Sequence, residues 1–159
     1  MKYVVTGGAG FIGSHLTEKL IKQGDVVTVL DNLNTGKEKN LEPVKEKIEF
    51  VKGSILNKKL IQFLLKKNKL IFHLAAVSDI NKVKNIPAIT ISTNVLGTTC
   101  LIEASRKAKI KKFIYAASAS CYGIPVQFPT NENEQSHHPN HCPRAVCRSS
   151  DCKRGPGSN

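Results

Sequence analysis

The chain has 159 residues, of which 40% are apolar, and a formal net charge of +12 at pH 7. Its length suits one domain with a buried core, and it has neither an apolar run long enough to cross a membrane nor a signal peptide, so we expect a cytoplasmic protein without a membrane partner. Although the charge is strongly basic, the lysines are scattered along the sequence at the ends of predicted elements, without interleaved aromatic residues, and we expect no nucleic-acid partner.

The body of the chain alternates predicted strands and helices. Ile12, Leu16 and Leu20 are spaced to form one inward face of the first helix. Asn57 is a candidate N-cap for a second helix. Strands alternating with helices indicate parallel βαβ units, and therefore an α/β fold with a Rossmann-type doubly wound parallel sheet, incomplete at about five strands. The predicted strands are residues 2–6, 25–30, 48–52, 70–74 and 112–116, and the predicted helices begin near residues 12, 57 and 87.

A glycine-rich segment, TGGAGFIG, directly follows the first predicted strand and opens the first predicted helix. Gly7 permits a tight turn, Gly10 lets the backbone approach a pyrophosphate, and Gly13 permits close packing of helix and strand. Asp31 ends the second predicted strand, where an acid accepts hydrogen bonds from ribose hydroxyls and repels a 2′-phosphate. The alternatives are that the glycines form an ordinary loop and that Asp31 is a turn residue. The combination favours a dinucleotide site that prefers NAD to NADP.

Five segments in register resemble the extended short-chain dehydrogenase/reductase family, in its NAD-dependent nucleotide-sugar epimerase/dehydratase group. The resemblance implies an NAD-binding domain over residues 1–135 that acts on a nucleotide-activated sugar, like a UDP-sugar 4-epimerase or a dehydratase. A homodimer is compatible with it. The segments are TGGAGFIGSHL from Thr6 to Leu16, LDNLNTGK from Leu30 to Lys37, HLAA from His73 to Ala76, NVLGT from Asn94 to Thr98 and SASCYG from Ser118 to Gly123.

The resemblance also implies roles for individual residues. Asp31 and Asn32 would hold the adenosine ribose, and Asn94 would lie near the nicotinamide. Ser54 stands where relatives usually carry an aspartate that binds the adenine amino group, so this contact would be weaker. His73 is expected to be a structural strand histidine, and no metal site is expected. The implied cofactor-binding positions are Gly7, Gly10, Phe11, Ile12, Gly13, Asp31, Asn32, Ser54, Ile55, Leu74, Ala75, Ala76 and Asn94.

Catalysis in the family resembles a Ser/Tyr/Lys relay, in which a Tyr phenolate removes a proton from a sugar hydroxyl while hydride passes to NAD. Ser118 matches the serine of this relay, and Ser120 is a weaker candidate. The family places the Tyr, in a Y-x-x-x-K pair on one helix, about 25 residues after the serine. The sequence has no Tyr after Tyr122. The polypeptide is therefore expected to be inactive although its family is enzymatic, with a non-catalytic dinucleotide-binding fragment as the alternative function.

Residues 136–159 differ in composition from the residues before them. They hold three of the five Cys and three of the five His, but no Ile, Leu, Phe, Met or Tyr, so they are predicted to form a disordered tail outside the family domain. A zinc site formed by His138, His141, Cys142, Cys147 and Cys152 has poor ligand spacing. A disulfide framework is disfavoured in a cytoplasmic protein. The composition break and the missing Tyr and Lys favour a frameshift or truncation near residue 136.

Overall fold

A computed structural model of the chain describes residues 1–79, 84–118 and 129–130. The backbone divides into two compact units, residues 1–114 and residues 115–159. The sheet and helices that carry the predicted cofactor site belong to the first unit. The tail predicted from residue 136 onward lies outside the described residues, as do Ser120 and Tyr122.

Within the described residues, five strands form a single sheet in the order β3-β2-β1-β4-β5, and the pairings of β1 with β2, β1 with β4 and β2 with β3 are parallel. Each strand lies within about a residue of its predicted position, because short β-branched runs between turns are a strong local signal. This confirms the doubly wound α/β fold. The strands are β1 Lys2–Thr6, β2 Val26–Asp31, β3 Ile48–Lys52, β4 Leu70–His73 and β5 Lys112–Tyr115.

Helices connect the strands, and none among the described residues is long and apolar enough to span a bilayer. Asn57 caps the second helix as predicted, because its Oδ1 accepts a hydrogen bond from Leu60 N at 3.1 Å. A π-helical segment, Ser92–Gly97, joins two α-helices into the long helical span predicted after Pro87. The helices are α1 Phe11–Lys22, α2 Lys58–Lys67, α3 Pro87–Ile91 and α4 Thr98–Lys107, and a 3₁₀ segment, Glu38–Lys47, precedes β3.

Both faces of the sheet are covered, as the uninterrupted apolar strands predict. On one face, α1 and the 3₁₀ segment pack against buried side chains that include Val5, Val27 and Val29. On the other face, α2 and α4 pack around a second cluster, which includes Leu30 and Ile71. The sheet is therefore held between two apolar layers, and its strand ends remain available for polar chemistry.

The inward face predicted for α1 is wrong at its first residue. Ile12 is 66% exposed, whereas Leu20 is buried and Leu16 is half-buried. The first turn instead turns Gly13 inward, where a Cβ would lie 2.6 Å from Gly8 Cα. Because the helix begins this close to the preceding loop, no large side chain fits beneath its first turn, and Ile12 points outward.

Candidate functional site

The glycine loop between β1 and α1 lies tightly against the ends of two neighbouring strands. Gly7 has a φ of 73°, in the left-handed region that favours glycine, and a Cβ there would lie 2.7 Å from Ala75 N. Gly7 N donates to Leu30 O at 2.8 Å, and Gly10 N donates to Gly7 O at 3.1 Å. The loop is thus fixed by main-chain contacts to the carboxyl ends of β2 and β4.

The N-terminus of α1 has no side-chain cap in the part of the chain that the structure describes. Gly10 occupies the N-cap position, and the first turn of the helix contains no acidic residue. By contrast, α2 is capped by Asn57. Phe11 and Ile12, the first two residues of α1, are 79% and 66% exposed. The first-turn N–H groups and the positive end of the helix dipole therefore suit an anion such as a phosphate.

The segment after β2 holds the glycine loop on both sides of Ala9, which is fully buried. Ala9 N donates to Asp31 Oδ2 at 3.0 Å, and Ala9 O accepts hydrogen bonds from Lys37 N at 3.1 Å and from Asn40 Nδ2 at 2.8 Å. Asp31 Oδ1 accepts from Leu33 N at 2.8 Å. The loops after β1 and β2 therefore form one cradle, hereafter the Ala9 cradle, with the Asp31 carboxylate between them.

Asp31 has acceptor capacity beyond the two hydrogen bonds that it receives. A carboxylate offers about four lone-pair positions, so two backbone donors leave room for two ligand hydroxyls. Gly36 approaches this group closely, since a Cβ there would lie 3.0 Å from Asp31 Oδ2. Asn32 is exposed, and its Oδ1 accepts from Asn34 N at 3.0 Å. The cradle thus presents an acceptor-rich surface suited to a diol.

Ser54 and Ile55 shape the turn from β3 into α2. Ser54 Oγ accepts from Leu56 N at 3.2 Å, and Ser54 O accepts from Asn57 N at 3.0 Å. Ile55 is 4% exposed, and a Cβ on Gly97 would lie 2.6 Å from its Cδ1. The Ile55 side chain therefore supports the π-helical segment from the core, and a cofactor contact by either residue stays a prediction.

His73, at the end of β4, is a buried histidine with hydrogen bonds at both ring nitrogens. Thr6 Oγ1 lies 2.6 Å from Nδ1, and Thr98 Oγ1 lies 2.9 Å from Nε2. Burial lowers the pKa of His73 from 6.5 to about 4, so the ring is neutral near pH 7. The backbone beyond it is also held, because Leu74 N donates to Thr6 O at 3.0 Å and Ala75 N donates to Thr6 Oγ1 at 3.4 Å. The expected structural role of His73 is confirmed.

Asn94 lies on the π-helical segment and holds the chain that follows β4. Its Oδ1 accepts from Val77 N at 2.8 Å, and its Nδ2 donates to Val77 O at 2.9 Å. This double hydrogen bond fixes the segment next to Ala76, which is exposed at the carboxyl edge of the sheet. Irregular helical turns of this kind often occur at functional sites. Asn94 therefore positions one wall of the predicted cofactor site, and direct contact with nicotinamide stays a prediction.

Ser118 is exposed and belongs to the second unit. The residues in which its relay partners were expected, about 140–150, lie outside the described part of the chain, so its catalytic role stays a prediction. Among the described residues, no group of three or more His, Cys, Asp or Glu could hold a metal ion. The five candidate zinc ligands of the tail also lie outside the described residues.

Sequence reasoning missed several residues that build the site. Ala9, Thr6 and Asn40 were not singled out, although each makes a hydrogen bond that fixes a loop. Asn40 contacts a residue that is 31 positions earlier in the chain. No local pattern signals such a contact, because it depends on how two loops meet at one edge of the sheet.

Comparison with known proteins agrees with this geometry. A family model described as "NAD dependent epimerase/dehydratase family" matches residues 3–146, which extends beyond the predicted domain boundary at residue 135. UDP-glucose 4-epimerase from Mycolicibacterium smegmatis is 39% identical over 137 residues, which are 84% of this chain and 44% of that protein. UDP-N-acetyl-alpha-D-glucosaminuronate decarboxylase from Bacillus cytotoxicus is 40% identical over 120 residues, which are 76% of this chain and 37% of that protein.

A solved structure shows the same fold. UDP-glucose 4-epimerase from Brucella ovis, in complex with NAD, superposes with a TM-score of 0.72 and 33% sequence identity, covering 80% of this chain and 39% of that one. The chain therefore spans about two fifths of the length of these relatives.

Proposed function

The chain belongs to the NAD-dependent epimerase/dehydratase family, and from this premise we propose that it binds NAD at the carboxyl edge of its sheet, in a protein whose chemistry is carried out on a nucleotide-activated sugar. The observation that carries the proposal is the Ala9 cradle, which holds the Asp31 carboxylate beside the uncapped N-terminus of α1. The same membership supports a cytoplasmic protein and is compatible with a homodimer.

The cradle and the helix end fit two parts of one dinucleotide. The first-turn N–H groups of α1 would bind the pyrophosphate, with Gly10 leaving the backbone accessible. The remaining acceptor positions of Asp31 would bind the two ribose hydroxyls. The nicotinamide ring, when bound, supplies a hydride acceptor and donor. Leu74 and Ala75, held by Thr6, and Asn94, held by Val77, would form the wall on the far side of the cofactor.

Asp31 also determines which dinucleotide is preferred. Two like charges about 4 Å apart repel by about 1 kcal/mol in water and about 4 kcal/mol at an effective dielectric constant near 20. Because Asp31 is only 8% exposed, a 2′-phosphate next to it would be disfavoured by an amount between these limits. NADP should therefore bind about tenfold more weakly than NAD, or weaker still.

The nucleotide-sugar half of the proposal rests on the relatives. The epimerase and the decarboxylase are both named for UDP-sugars, which favours a UDP-sugar as the substrate of the family member. Ser118 would donate a hydrogen bond to the reacting sugar oxygen. These 159 residues contain no Y-x-x-x-K after Ser118, so we propose that the 159-residue polypeptide binds cofactor without turnover.

Calorimetric titration of the 159-residue chain with NAD and NADP tests the proposal. We expect Asp31→Asn to reduce the preference for NAD, since it removes the charge but keeps one acceptor oxygen. Asp25→Asn is a matched control, because Asp25 precedes the opposite end of β2 and pairs with the N-terminal amine. Equal affinities for NAD and NADP in the unmodified chain would contradict the role of Asp31. Interconversion of UDP-glucose and UDP-galactose by the pure chain would contradict the proposal that it has no turnover, but not the proposal that it binds NAD.

A further inference from the structure

Two non-glycine residues have left-handed backbone in the part of the chain that the structure describes: Leu33, with a φ of 60°, and Lys109, with a φ of 52°. This conformation is costly for any residue with a Cβ and is rare for a bulky one. Lys109 has an ordinary explanation, because it lies just after α4, where left-handed residues commonly end helices. Its N donates to Arg106 O at 3.2 Å, and Ile110 N donates to Ser105 O at 3.0 Å. Leu33 instead lies just after β2, so a helix end does not account for it.

Leu33 belongs to the part of the Ala9 cradle that carries Asp31. Its N donates to Asp31 Oδ1 at 2.8 Å, and the next residue, Asn34, donates from its N to Asn32 Oδ1 at 3.0 Å. Beyond this turn the chain comes back to the same carboxylate, since a Cβ on Gly36 would lie 3.0 Å from Asp31 Oδ2. The left-handed residue therefore lies where the chain reverses its direction towards Asp31.

The side chain of Leu33 explains why a costly residue occupies this turn. It is half-buried and packs against the apolar cluster that includes Val5, Ala9 and Leu20. Glycine or asparagine would adopt the same backbone at lower cost, but neither has an apolar side chain to pack there. Leu33 therefore combines strained backbone with an apolar anchor. Backbone strain that the surrounding structure maintains is concentrated at binding sites, where it holds a loop in its binding conformation.

We propose that Leu33 is a positioning residue for the preference for NAD over NADP, an inference that rests on the proposed function. Its backbone and its anchor hold the turn after β2 closed before the cofactor binds, and thereby fix the Asp31 carboxylate beside the ribose. Leu33 need not touch the cofactor. Because repulsion between like charges falls with distance, Asp31 disfavours a 2′-phosphate fully only while the carboxylate cannot move away. A preformed turn also lowers the entropic cost of binding.

The test measures the affinities of the 159-residue chain for NAD and for NADP by calorimetric titration. Leu33→Asn tolerates the left-handed backbone but removes the apolar anchor. We expect it to bind NAD about tenfold more weakly, because the turn must then be ordered on binding. We expect the ratio of the NAD and NADP affinities to fall at least about threefold, because the carboxylate can move away from a 2′-phosphate. Leu33→Ala, which shortens the anchor, should act in the same direction.

Three further variants separate positioning from stability. Leu33→Met keeps an apolar side chain of similar volume and should retain both the NAD affinity and the ratio. Leu20→Val removes volume from the same apolar cluster but lies on α1, so it should lower the Tm and leave the ratio unchanged. Lys109→Gly relieves the other left-handed position and should leave both affinities unchanged.

The outcomes distinguish this inference from the proposed function. If Leu33→Asn and Leu33→Ala bound NAD with an unchanged ratio, Leu33 would have no positioning role. An equal fall of the ratio in Leu20→Val would also overturn the inference, because lower stability alone would then explain the loss. If the unmodified chain bound neither dinucleotide, the proposed function itself would be wrong, and this inference with it.

Discussion

The two edges of the sheet are built on different physical principles. At the carboxyl edge, the backbone is closely packed around the glycines, His73 is buried with hydrogen bonds at both ring nitrogens, and the buried Asp31 carboxylate accepts two backbone hydrogen bonds. At the amino edge, Lys2, Lys69 and Lys111 lie side by side at the strand starts and are exposed. One methyl group added at the carboxyl edge should therefore lower the free energy of unfolding strongly. Removal of one exposed charged side chain at the amino edge should change the free energy of unfolding little.

The sharpest contrast is expected between a methyl group added in the first turn of α1 and one added just after its C-terminal end. Gly13→Ala places a Cβ 2.6 Å from Gly8 Cα, which the backbone cannot relieve without moving the loop. We expect it to cost about 3 kcal/mol of unfolding free energy in urea titrations. Gly24→Ala is the control, because no atom of the described residues lies within 4 Å of the added Cβ and only the left-handed backbone opposes the change. It should cost about 1 kcal/mol. Equal costs would show that the loop is not tightly packed.

The buried histidine makes the stability of the carboxyl edge depend on pH. The pKa of His73 falls from 6.5 to about 4 on folding, so the unfolded chain binds the proton more tightly. Its contribution is present above about pH 6.5 and is lost as the pH falls towards 4. We expect the unfolding free energy to drop by about 2 kcal/mol between about pH 7 and pH 5.

Two histidine variants test whether His73 is the residue responsible for this pH dependence. His73→Gln should flatten the pH profile even if it destabilises the protein at every pH. His15→Gln, at an exposed position of α1, should leave the slope unchanged. A slope that survives in His73→Gln would mean that another group carries the effect.

The clamp between the π-helical segment and the chain after β4 should show a smaller effect. Asn94→Ala removes both hydrogen bonds to Val77 and should cost about 1.5 kcal/mol of unfolding free energy. Asn32→Ala removes one exposed hydrogen bond, to Asn34, and should cost less than about 1 kcal/mol. If the two variants were equally stable, the Asn94 clamp would not be a stabilising contact.

The smallest effect is expected at the amino edge. Lys69→Gln removes an exposed charge without an ion-pair partner among the described residues, and should change the unfolding free energy by less than about 0.5 kcal/mol. Urea titrations of Lys69→Gln and Gly13→Ala under the same conditions compare the two losses of unfolding free energy directly. A loss of more than about 1 kcal/mol would show that Lys69 has a structural role and would remove the difference between the two edges.

The sequence by itself determined the strands, the glycine loop and the position of Asp31. These features depend on signals within a few residues, such as the apolar run of β2 or the glycines that follow β1. The placement of Asn57 as a helix cap is of the same kind. Local patterns of this sort persist whatever the rest of the chain does, because backbone conformation and hydrophobic periodicity are properties of short segments.

Only the tertiary structure decided which distant residues meet. It joined Ala9 to Asp31 and Asn40, placed His73 between Thr6 and Thr98, and turned Ile12 outward. It also placed Lys2, Lys69 and Lys111 side by side at the amino edge of the sheet. The physical reason is that a parallel sheet brings all strand starts to one edge and all strand ends to the other, so that position along a strand, and not distance along the chain, sets the neighbours of a residue.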